Sequence, residues 1–104
     1  MNLINIKTLK MTNKIKVGIV GVGNCCSSLV QGVKYYTANP SGKGVMFPQI
    51  GNYLPRSIQF CLAYDIDIRK IGKPLHEAIF QKPNCTKVFV EGFDIPNCIV
   101  KRAP

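Results

Sequence analysis

Residues 16–36 read KVGIVGVGNCCSSLVQGVKYY, an apolar run, a glycine turn and a segment of helical spacing in immediate succession. A short apolar run, broken by Gly18, ahead of a tight turn suits a buried strand of a parallel sheet. Parallel strands cannot be joined by a hairpin, so the segment after the turn has to cross back over the sheet as a helix. That requirement confines the chain to α/β folds. The rest of the sequence is consistent with it. Ile15 to Val20 forms the first predicted strand and the run IQFCLAY, 58–64, the second. Short helices are predicted over 68–71 and 74–80, with Pro74 in a first turn, where its missing N–H has no partner to lose. KVFVEG (87–92) and CIVKR (98–102) are further strand candidates, separated by the turn-like FDIPN. Residues 37–57 carry prolines and glycines on both sides of Val45 and read as a long loop. In the first helix Asn24 is the expected cap, and Leu29, Val33 and Tyr36 form the expected buried stripe.

The expected fold is therefore α/β, a Rossmann-like parallel sheet that is incomplete. Residues 14–104 supply the first half of a doubly wound domain. Residues 1–13 read as a poorly ordered extension, with Met1 or Met11 as the true start. No run approaches the roughly 18 apolar residues of a membrane span. Residues 1–14 lack a compact apolar segment followed by a cleavage site, so the expectation is a soluble, cytoplasmic chain without membrane contact. The net charge of +9 comes from fourteen lysines and arginines, which are mostly spaced singly. That pattern favours a basic surface around a phosphorylated ligand, and nucleic acid is not an expected partner. Five cysteines without a C-x-x-C pair, and one histidine without a cysteine at finger spacing, give no metal site and point to reduced thiols.

The chemistry lies in the turn. Gly21 permits the sharp reversal from strand to helix, and Gly23 lets the backbone approach a phosphate with no Cβ in the way. The helix start leaves N–H groups unpaired at the positive end of the dipole, which favours an anion. The third small position of a G-x-G-x-x-G fingerprint falls on Cys26, which is larger than glycine, so the thiol must fill a gap or loosen the helix packing. Asp65 ends the second strand, where a carboxylate can accept from ribose hydroxyls and repel a 2′-phosphate, selecting NAD over NADP. The usual gap of about 20 residues is roughly doubled here by the inserted loop. Asp67 is assigned a supporting role beside Arg69. Cys25 and Cys26 are read as packing residues, although a helix start can lower a thiol pKa. Cys61 is read as a small core residue and His76 as a solvated helix position. Cys85 and Cys98 receive no role.

Three stretches carry a family resemblance: KVGIVGVGNCCSSLVQGVKYY, LAYDIDIRKIGKPLHEAIF and NCIVKRAP. They look like the amino-terminal part of inositol-3-phosphate synthase (myo-inositol-1-phosphate synthase) of the bacterial type, over about Lys14 to Pro104. The family usually has alanine where Cys26 stands and glycine where Ala103 stands. The resemblance implies an NAD-dependent isomerase of inositol and phospholipid biosynthesis. Glucose 6-phosphate becomes 1D-myo-inositol 3-phosphate by internal oxidation, aldol cyclisation and reduction. Matching positions give NAD-binding roles to Gly21, Gly23, Asn24, Cys25, Cys26 and Asp65, with Asp67 in support. The catalytic lysines and the tetramer interface belong to a later domain absent from this sequence, so no catalytic residue is named. The chain alone is expected to be inactive and not tetrameric. The alternative reading is a stand-alone NAD-sensing or protein-interaction module without catalysis.

Overall fold

The computed structural model describes residues 14–39, 44 and 49–104. The expected extension at 1–13, its start, and residues 40–43 and 45–48 of the predicted loop lie outside the described residues. The chain forms a three-stranded parallel sheet in the order β1–β2–β3, with helices between the strands. The strands are β1 (Ile15–Val20), β2 (Ile58–Asp65) and β3 (Val100–Arg102); the helices are α1 (Asn24–Ala38) and α2 (Leu75–Ala78). This is the expected α/β, partly Rossmann-like arrangement, with β2 in the middle.

β1 and β2 run in register from Ile15 against Ile58 to Val20 against Tyr64, with one irregularity between Val17 and Gly18. Cys61 is the extra residue of that bulge. It is half-buried, and its thiol donates to the Val17 carbonyl at 3.6 Å, so it marks an irregularity of the ladder and is not the plain core residue expected. The core lies under one face of the sheet and includes Val22, Val30, Phe60, Ala63, Leu75 and Ile79. Val20 and Leu62, by contrast, are exposed.

Several local expectations are corrected. The buried face of α1 is Cys26, Ser27, Val30, Gln31 and Val33; Leu29 is half exposed and Tyr36 only partly covered. The helix turns two polar side chains inward because a neighbouring segment needs them. That segment is the predicted strand KVFVEG, which is not a strand. Its Phe89 and Val90 N–H groups donate to Gln31 Oε1 at 2.8 and 3.2 Å, and the Lys87 carbonyl accepts from Gln31 Nε2 at 3.2 Å. A helix side chain thus takes the place of a neighbouring strand. Only CIVKR, of the two candidates, yields a strand, and a short one. The predicted helix at 68–71 is a single turn in which the Lys70 and Ile71 N–H groups donate to the Asp67 carbonyl; Gly72, at φ +87°, ends it. The second helix is shorter than 74–80, with Pro74 preceding its first residue. The Gly72 and Leu75 N–H groups donate to Val100 and Cys98, and Val100 donates back to Lys73, so this segment borders the outer side of β3.

Candidate functional site

The carboxyl ends of β1 and β2 converge on the turn 21–23, where ligands bind in open α/β sheets. Gly21 extends the ladder by donating to the Tyr64 carbonyl at 2.8 Å, then turns the chain at φ +97°, a conformation natural to glycine. Gly23 precedes α1 at φ −101°, and a Cβ built on it would meet no atom within 4 Å. Neither its backbone angle nor its surroundings require glycine. A side chain there would stand in open space.

Gly23, and not Asn24, caps α1, and its carbonyl accepts the first helical bond, from Ser27 at 2.9 Å. The N–H groups of Gly23, Asn24, Cys25 and Cys26 find no acceptor among the described residues. Unpaired donors at a helix start are groups that an anion can meet. The Asn24 side chain turns sideways. Its Oδ1 accepts from the Cys85 and Thr86 N–H groups at 2.7 and 3.1 Å and from Thr86 Oγ1 at 2.8 Å, which straps residues 85–86 alongside the turn. Cys25 is exposed, whereas Cys26 is buried in the core. Burial, with Cys98 nearby, pushes the Cys26 thiol up to about 11, so it stays protonated and packs. Any contact it makes with a ligand is through its main chain.

Asp65 grips the turn from the β2 side. Its Oδ2 accepts from Val22 N–H at 2.7 Å, and its Oδ1 from Ile66 and Asp67 N–H at 2.7 and 2.9 Å. Partial burial opposes the charge, but the N–H groups of Asp67, Val22 and Ile66, with the nearby Lys70 ammonium, outweigh it and hold the carboxyl below its ordinary value. The sign of the linkage follows. A depressed folded pKa contributes stability that is fully present above about pH 4 and is lost as pH falls through the folded value. Protection of the Val22 amide against hydrogen exchange should therefore hold down to about pH 4 and collapse below the folded pKa. Unchanged protection through carboxyl titration would contradict this contact.

Asp67 is engaged elsewhere. Its carboxylate takes Arg69 in a two-pronged pair, Nε to Oδ1 at 2.9 Å and Nη2 to Oδ2 at 2.7 Å, and also accepts the Arg69 N–H. The Arg69 side chain holds the Asp67 carboxyl down at about 2. That pairing occupies the guanidinium, the group best suited to a 2′-phosphate. His76 is not a solvated position. Its Nδ1 accepts from Ile95 N–H at 3.1 Å, with Asp94 at 3.3 Å.

Two residues of the site escaped the sequence reading. Lys70 is 3% exposed, and its Nζ donates to the Val22 carbonyl at 2.6 Å and to Asn84 Oδ1 at 2.8 Å. Asn84 Nδ2 donates to the same carbonyl at 3.1 Å and to that of Ile79 at 3.0 Å. A lysine beside an arginine at a turn reads as solvated charge, and nothing in its spacing signals burial. A separate apolar cavity of about 440 Å³, lined by Ile15, Leu29, Tyr36, Tyr53 and Ile58, lies by the amino ends of β1 and β2, away from the turn.

No family model matches the chain. Its sequence is 45% identical over 96 residues to an inositol-3-phosphate synthase of Mycolicibacterium smegmatis, covering 88% of this chain and 26% of that protein. Inositol-3-phosphate synthases of Mycobacterium tuberculosis (42% over 96 residues; 89% of this chain, 26% of that protein) and Corynebacterium glutamicum (45% over 78; 72% and 22%) are also similar. Among solved structures, the one described as the crystal structure of Ari2 superposes with a TM-score of 0.79 at 26% identity, over 88% of this chain and 29% of that one. The chain thus spans about a quarter of the length of the relatives it matches. Among the described residues no helix is long and apolar enough to cross a membrane.

Proposed function

The chain belongs to the inositol-3-phosphate synthase family, and from that premise we propose that it forms the adenosine and diphosphate half of an NAD site. In this reading the unpaired N–H groups of residues 23–26 receive the diphosphate, with Gly23 leaving it room. The one lone pair of Asp65 that these contacts leave, on Oδ2, receives a ribose hydroxyl. The parent reaction is the conversion of glucose 6-phosphate to 1D-myo-inositol 3-phosphate in a homotetrameric isomerase. NAD, when bound, supplies the hydride acceptor and donor. Groups that act on the sugar come, in this proposal, from parts of the relatives that this chain does not match.

The observation that carries the reading is the set of four N–H groups, of residues 23–26, left without an acceptor among the described residues at the head of a 15-residue helix that follows the β1 turn. Calorimetric titration of the chain should show saturable uptake of one NAD, with NADP at least about tenfold weaker because Asp65 and the paired Arg69 offer its extra phosphate no partner. Absence of saturable NAD uptake by folded protein would overturn the assignment.

A further inference from the structure

Lys70 is a long, charged side chain that the fold takes out of water. Burying an ammonium costs several kcal/mol unless it is well paired. Here its two acceptors are the Val22 carbonyl, in the middle of the glycine turn, and Asn84 Oδ1. Val22 is therefore held at both ends of its residue: the carbonyl by Lys70 and Asn84, the N–H by Asp65. Gly23 caps α1, so the Cys26 N–H, like those of residues 23–25, is one of the four that a helix start leaves without an acceptor. The clamp thus fixes the residue that leads into those donors and sets a lysine ammonium against its carbonyl.

We propose that Lys70 is the positioning residue of the glycine turn. With Asn84 it holds the Val22 carbonyl so that the amides of residues 23–26 stay turned toward a diphosphate, and its charge selects for that anionic part of the ligand. This rests on the NAD reading above for the identity of the ligand, but the clamp itself does not. Charge-assisted hydrogen bonds of this length are among the stronger polar contacts in proteins, and preformed donors cost nothing to reorganise when the anion arrives.

The test compares the chain with Lys70→Met and Asn84→Ala. The readouts are NAD affinity, adenosine affinity and hydrogen exchange of the Val22 amide without ligand. Lys70→Met should weaken NAD by about tenfold or more and leave adenosine, which has no phosphate, within about twofold. Val22 exchange should accelerate about tenfold. Asn84→Ala, which keeps the charge, should accelerate exchange and weaken NAD by less. Equal losses for NAD and adenosine, or unchanged exchange in a folded Lys70→Met protein, would overturn the proposal. Should Lys70→Met not fold, Asn84→Ala decides: unchanged Val22 exchange overturns the clamp, and faster exchange supports it. Should the unmodified chain bind neither ligand, the NAD reading falls, and the exchange result alone judges the clamp.

Discussion

Gly23→Val should abolish useful NAD binding, weakening it by about 100-fold or more, or roughly 2.7 kcal/mol, while leaving the fold nearly untouched. The separation of the two effects makes this informative. The backbone at Gly23 lies at φ −101°, which valine adopts without strain, and the built Cβ meets nothing within 4 Å. The structural cost is limited to a poorer cap, about 1 kcal/mol. The cost to the ligand is different in kind, because the branched side chain would stand in the space that the diphosphate needs to reach the amides of residues 23–26. Gly23→Ala should give the same pattern at smaller amplitude. Gly21→Val provides the contrast: φ is +97° there, so a β-branched residue is strained by about 1–3 kcal/mol and stability should fall together with affinity. Calorimetry for NAD and thermal melting on the same samples read both quantities. A Gly23→Val protein that melts within about 8 °C of the parent and still takes NAD at parental affinity would remove the diphosphate from this turn.

The contrast between the two glycines also marks how far the sequence could be read. Strand, turn, helix and the acid after the second strand were visible because each follows from a local pattern: an apolar run, glycine spacing, and a polar residue at a strand end. The parallel pairing of β1 and β2 followed from those and is what the fold shows. Contacts made over long separations by polar side chains were not visible. Gln31 and Lys70 carry no hydrophobic signal, and their burial depends on carbonyl and amide groups more than 40 residues away in sequence. The same cause misplaced the helix stripe. Leu29 and Tyr36 have the right spacing, but α1 is rotated to direct Ser27 and Gln31 inward. KVFVEG has strand composition, and nothing in it says that a helix glutamine will use up its hydrogen bonds. Asn24 was read as a cap from residue type alone, whereas its carbonyl oxygen is committed to Cys85 and Thr86.

Gln31→Leu should be strongly destabilising, although it adds apolar surface to a buried position. Gln31 is fully buried and every polar atom of its amide is used: Oε1 accepts from Phe89 and Val90, and Nε2 donates to Ser27 Oγ at 3.1 Å and to the Lys87 carbonyl. Leucine would gain a little transfer free energy but leave those four groups without their partner. An orphaned buried polar group costs about 1–3 kcal/mol. Partial escape of the 87–90 backbone to water offsets some of this, for a net loss of about 3 kcal/mol. In a chain of this size that lowers the melting temperature by roughly 12 °C or more. Ser27→Ala removes only one of the four contacts and should cost about 1 kcal/mol, which provides an internal scale. The loss should also reach the ligand site. Residues 84–90 are strapped to α1 and to the turn by three amide side chains, Asn24, Gln31 and Asn84, and freeing the 87–90 end loads the remaining two. Hydrogen exchange in Gln31→Leu should therefore accelerate first at Phe89 and Val90 and next at Cys85 and Thr86, before the β1–β2 ladder opens. A melting temperature within about 3 °C of the parent, or exchange that accelerates everywhere at once, would show that this amide is not what fixes the segment to the helix.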